Sequence, residues 1–286
     1  MKRLYLDQRD ISNLANGRTP SEHADAVLRL VDGGHVALVL SMTHAIETAV
    51  CADPVLRQRI VDYVEGLPTR RWLQNSLWIL RMEVERCFTE DMTGVCAPRG
   101  EPLTTNVLES CGLACPSQVR GGWDMRHEFQ TMVNMWHLQD PRALQQIKEW
   151  KDTWPTQSRW SRTKRKGMTV TDYAKKTIWR FVPAQTPSGL LLSAQGRREY
   201  VDGLDLSRCP ALSLVLQVGD KIHADVRAHA GTGDILDSIH LCAIPYCDMT
   251  TLDSRMHNIV LQTAVGKSYR DRVARSLQDA LNRLRV

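Results

Sequence analysis

The sequence has no apolar run approaching the ~18 residues that a membrane-spanning helix requires, so no helical span is expected. It has no internal repeat and no low-complexity tract, which excludes solenoid and fibrous architectures. Its opening residues, Met1-Lys2-Arg3-Leu4-Tyr5-Leu6-Asp7, place an acid where a signal peptide would continue its apolar stretch. The expectation is a cytoplasmic protein that contacts no membrane. The eight cysteines lack paired spacing. Cys111 and Cys115, with Cys96 and His127 as conceivable partners, have no second tight pair to complete a zinc site, so reduced thiols are expected. At 286 residues, 43% hydrophobic and 24% charged, the chain can bury a sizeable core, which excludes wholesale disorder.

Tryptophan is missing from both ends. All eight, from Trp72 to Trp179, fall in the middle of the chain. Charge is uneven as well. Between Lys148 and Arg180 ten cations face three anions, whereas the whole chain carries only +5. The run Arg159, Trp160, Arg162, Lys164, Arg165 and Lys166, followed by Lys175 and Lys176, reads either as a solvated surface or as a contact for a phosphate backbone. Trp160, Tyr173 or Trp179 would then be available to stack on bases. These shifts divide the chain into an α/β core formed by residues 1–67 and 206–286 and a helical, Trp-rich, partly basic insertion over residues 68–205.

The two ends follow one logic. Leu4-Tyr5-Leu6 and Val36-Ala37-Leu38-Val39-Leu40 are short, continuous apolar runs, as in buried parallel strands. Between them, Thr19-Pro20-Ser21-Glu22 has the form of a capping box with Pro20 at the first helical position, and Gly33-Gly34 closes the helix. Ser41 or Thr43 can start the next helix, which carries Glu47. Towards the other end, Leu212 to Ile222 predicts a helix of about four turns. Asp234 to Ala243 predicts a second helix, Cys247 to Leu252 a strand, and Ser254 a cap for the helix after it. Tyr269 to Arg275 predicts a last strand, with a helix capped by Ser276. Strands alternating with helices predict an α/β protein with a parallel sheet flanked by helices.

In such a sheet, ligands bind beyond the carboxyl ends of the strands. Asp7 and Asp253 end strands, Asp237 opens a helix, and Glu47 lies one turn into another. Asp234 and Asp248 are close in sequence, and Asp234 competes with Asp237 for one role. Each acid also has a plain reading: Asp7 as a helix cap, Glu47 and Asp237 as first-turn charge, Asp253 as a strand-end turn residue, and Asp234 and Asp248 as caps. His44 and His240 read as packing or supporting groups. Crowded carboxylates must take up protons or share a cation, and a hard divalent ion suits oxygen ligands that also meet phosphates.

Leu4-Tyr5-Leu6-Asp7 with Ile11-Ser12-Asn13-Leu14, Ser41 to Glu47, and Gly233 to Asp253 resemble PIN-like nuclease domains. The resemblance implies a Rossmann-like sheet, Mg²⁺ or Mn²⁺ on a cluster of acids, and cleavage of RNA. It implies Asp7, Glu47, Asp237 and Asp253 as catalytic acids, with Asp234 and Asp248 as further metal ligands. A long middle zone is not part of that pattern. It leaves open a non-catalytic PIN-like RNA- or protein-binding component of a toxin–antitoxin or phage-defence system, and a structure-specific DNA nuclease. RNA or single-stranded DNA is the expected partner, with a protein inhibitor, a defence-system partner and a homodimer left open. An aspartyl-nucleophile phosphatase is disfavoured, because Asp7-Gln8-Arg9 lacks the second acid two residues on.

Overall fold

The computed structural model describes residues 1–98, 100–105, 107–110, 127–137, 169–224 and 237–284. Six strands form one sheet: β1 (Lys2–Tyr5), β2 (Val36–Ser41), β3 (Arg70–Leu73), β4 (Leu103–Thr104), β5 (Met249–Thr251) and β6 (Val273–Ala274). Their order is β4-β3-β2-β1-β5-β6. Every pairing is parallel except β3 with β4. The fold is therefore α/β, a mixed sheet flanked by helices.

Alternation along the strands builds two cores. Leu4, Leu6, Val36, Leu38 and Leu40 face one side, against helices Gln8–Ala15, Ser21–Asp32, Met42–Ala49, Pro54–Glu65 and Leu277–Leu284. Tyr5 and Val39 face the other, against helices Ser76–Thr93, Val170–Ile178, Ala194–Gly203, Pro210–Ala224 and Ser254–Gln262. Burial on both faces explains why the central strands read as unbroken apolar runs. Among the described residues no helix is long and apolar enough to cross a membrane.

The middle zone does not stand apart. Residues 68–205 supply β3 and β4 to the sheet, and Ile79, Val84 and Phe88 share a core with Leu212 and Val215. A boundary after residue 67 would cut through the sheet. The pattern was hidden because β3 opens on Arg70-Arg71 and offers only Trp72 and Leu73 as an apolar run. Glu83 bolts this zone to the C-terminal part. Its buried carboxylate accepts the Ala211 and Leu212 N–H groups at 2.9 and 3.0 Å, satisfying first-turn donors of helix Pro210–Ala224, and also takes the Tyr246 hydroxyl.

Several local expectations shift. Thr19 makes no capping box. Pro20 is itself the extended residue before the helix, which starts at Ser21 without a side-chain cap. Gly34 ends that helix region at φ +65°, where a Cβ is disfavoured. Asp253, not Ser254, caps helix Ser254–Gln262. The last strand shrinks to Val273–Ala274, because Ala264–Ser268 is helical and Arg270–Arg272 forms a tight 3-10 turn.

Candidate active site

Parallel strands put their carboxyl ends at one edge, and the two adjacent central strands deliver acids there. Asp7 follows β1 and caps helix Gln8–Ala15, its Oδ1 accepting the Arg9 N–H at 3.2 Å. Its own N–H donates to Thr251 Oγ1 at 2.8 Å, which ties the end of β1 to the end of β5. Two residues further along, Asp253 accepts the Met256 N–H on Oδ1 at 2.7 Å. The plain reading of Asp7 as a cap is thus realised, Asp253 caps where Ser254 was expected to, and each cap bond engages Oδ1. Glu47 lies on the helix that leaves β2 directly.

Asp237 joins them. Burial pushes its carboxyl up to about 6; His240 opposes the rise, while the negative charges of Asp253, Glu47 and Asp7 add to it. Acids from both ends of the chain therefore lie within electrostatic reach of one another. Asp248 does not take part. It precedes β5 and so sits at the opposite edge, exposed, where its Oδ2 accepts the Arg3 N–H at 2.7 Å. Asp234 lies outside the described residues.

Under the acids runs a buried polar chain that the sequence did not announce. Ser41 N–H donates to His44 Nδ1 at 3.0 Å, and His44 Nε2 lies 2.8 Å from the Leu6 carbonyl. One nitrogen must accept and the other donate, so His44 is neutral with its proton on Nε2. Burial and the nearby His240 lower its pKa to about 3, in keeping with that state. Tyr5 Oη bridges Ser41 Oγ at 2.8 Å and His240 Nδ1 at 2.5 Å. His240 Nε2 donates to Glu47 Oε2 at 2.9 Å. Burial opposes charge on both partners of this pair. Their mutual attraction prevails, holding Glu47 below the usual carboxylate range and His240 above the usual imidazole range. Both histidines act as supporting groups, whereas nothing local marks Tyr5 and Ser41 for the site, since Tyr5 reads as a strand residue and Ser41 as a helix cap.

Asp10 is a further acid outside the expected set. It is 6% exposed, its carboxyl raised by burial and moderated by the Thr251 hydroxyl, with Oδ2 shut from solvent and unpartnered among the described residues. It lies one helical turn from Asp7 and beside the same threonine, so it supports the Asp7–Thr251 link.

Removing the imidazole of His240 would strand Glu47 as an unpaired, largely buried charge. His240→Ala is expected to cost about 3 kcal/mol of stability, read by urea unfolding. A loss below about 1 kcal/mol would mean that the pair is already solvated.

The donor chemistry fits a hard cation, because the edge gathers carboxylates and one of them is driven towards its neutral form, chiefly by burial and further by the negative charges of Asp253, Glu47 and Asp7. Among the described residues, however, no three His, Cys, Asp or Glu side chains stand close enough to hold one ion as placed. Of the expected nucleic-acid contacts, Lys175 and Lys176 lie on helix Val170–Ile178. Arg159, Trp160, Arg162, Lys164, Arg165, Lys166 and the side chain of Tyr173 lie outside the described residues, as do Cys111 and Cys115. The other six cysteines are free thiols. Trp72 is core, but Trp78 is exposed. The molecule is thus defined as an α/β protein with acids gathered at the carboxyl edge of its sheet. Comparison with family models, curated proteins and solved structures finds no match.

Proposed function

We propose that the chain is a divalent-metal-dependent nuclease of PIN-like fold, an endoribonuclease that hydrolyses phosphodiester bonds. The observation that carries this reading is the gathering of Asp7, Glu47, Asp237 and Asp253, from both ends of the chain, at one sheet edge beside the β1–β5 junction. Asp237, Asp7, Asp253 and Glu47 are the residues that would hold Mg²⁺ or Mn²⁺. Such an ion, when bound, supplies a Lewis acid for the phosphate and makes water acidic enough to attack it. The chain's own contribution is positioning. Thr251 fixes the backbone of Asp7, and His240 with Tyr5 holds Glu47 in a water-poor setting. Asp237 can hold a proton up to about pH 6 while no cation is present.

A second reading is a PIN-like scaffold that binds RNA or a protein without cleaving. It is favoured by the absence, among the described residues, of three side chains within ligating reach of one ion. The two readings part on titration with Mn²⁺ in the presence of mixed RNA and single-stranded DNA. Cleavage that appears with the ion and vanishes with chelator supports the nuclease. No cleavage at any ion concentration, with RNA binding intact, supports the scaffold. Preferential cutting of branched DNA would reassign the substrate.

A further inference from the structure

Away from the acids, one surface carries charge that the fold leaves unspent. Helix Val170–Ile178 runs into a tight turn, Trp179–Phe181, beside helix Ala194–Gly203. Three guanidiniums gather about the Trp179 indole, with the Cζ atoms of Arg197, Arg198 and Arg180 at 4.8, 5.0 and 5.8 Å from the ring centroid. None of the three has an ion-pair partner among the described residues. Arg197 Nε is shut from solvent and meets no acceptor there. Two of the neighbouring carboxylates hold hydrogen bonds of their own, and a third, Asp202, stands near Arg198. Asp172 accepts the Thr169 N–H at 2.9 Å, and Glu199 accepts the Gln195 amide at 2.8 Å. Asp172 and Asp202 also line a hollow here with Lys175, Lys176 and Arg198.

Three like charges around one ring repel one another unless an anion neutralises them. A cation–π contact at an exposed site is weak, enough to organise the guanidiniums but not to cancel their charge. Guanidinium forks match phosphate oxygens, and a cluster of them suits an anion that repeats along a chain. Because the arginines already occupy the indole's surroundings, base stacking there would be weak, and recognition would follow the backbone rather than the sequence. We propose that Arg180, Arg197 and Arg198 around Trp179 form a contact for the phosphate backbone of single-stranded nucleic acid, a proposal that rests on the nuclease reading for its choice of polyanion.

The test uses the full chain in chelator, so that binding is read without cleavage. The probe is a fluorescein-labelled oligouridylate of about twenty nucleotides, followed by anisotropy between about 50 and 200 mM salt. The combined variant Arg180→Ala, Arg197→Ala, Arg198→Ala is expected to bind at least about tenfold more weakly. The slope of log affinity against log salt should fall by about 2, from three lost contacts at ~0.7 each. The corresponding triple Arg→Lys variant should keep most of that slope. If the alanine variant does not fold, Arg180→Ala alone, at an exposed side chain, should lower the slope by about 0.7. Unchanged affinity and slope in a folded alanine variant overturn the proposal, as does polyglutamate displacing the probe as well as unlabelled RNA does. Arginine-dependent binding by a chain that never cleaves removes the nuclease and leaves this surface standing. Metal-dependent cleavage with arginine-independent binding does the reverse.

Discussion

Asp7→Asn is expected to abolish metal-dependent cleavage of RNA while moving stability by no more than about 0.5 kcal/mol. The two halves of this result have separate causes. As a helix cap, Asp7 needs only one oxygen for the Arg9 N–H, and asparagine caps about as well as aspartate. Its link to β5 uses the backbone N–H and Thr251 Oγ1, which the substitution does not touch. What is lost is a negative charge at the shared edge. An ion held there is worth several kcal/mol of charge stabilisation at the reacting phosphate, so cleavage should fall by about a thousandfold or more. Initial rates in Mn²⁺ beside urea melts measure both halves. A variant that cleaves at the native rate would take Asp7 out of the chemistry, and one that unfolds would show that its role is structural.

The second large effect runs in the opposite direction for stability. Asp237 titrates near 6 in the folded chain against an ordinary value of 3.8. Between those values the folded state keeps a proton that the unfolded state has released. Stability from this group therefore falls as pH rises from about 4 to about 6 and stays low above that. Without divalent ions, Asp237→Asn should then stabilise the protein at neutral pH, by about 1 kcal/mol once solvent screening of the partly exposed carboxyl is allowed for. The advantage should shrink towards pH 4. Adding Mn²⁺ should raise the melting temperature of the native chain and do much less for the variant, because a cation that binds only the folded state stabilises it by mass action. Thermal melts at two pH values, with and without Mn²⁺, read this independently of cleavage. Equal melting temperatures for both proteins under all four conditions would mean that the carboxyl is not crowded.

The fold was legible where burial is two-sided. β1 and β2 are unbroken apolar runs, and the helix of about four turns near Leu212 carries a full apolar face, so local pattern and final environment agree. It was illegible at β3, whose two arginines break the run, and at β4, which is two residues long and owes its existence to β3. Long-range pairing of that kind leaves almost no local signal.

By itself, then, the amino-acid order determined the buried runs of β1 and β2, the main helices of the two ends and that acids would follow the strands, since period and strand-end position are local properties. Only the tertiary structure decided which acids meet. Asp248, immediately before β5, falls at the wrong edge because a parallel strand has a direction. Asp10, Tyr5 and Ser41 enter the site because β1, β2 and β5 are neighbours in space and far apart in the chain. Charge coupling depends on distance through space, and no spacing along the chain encodes it.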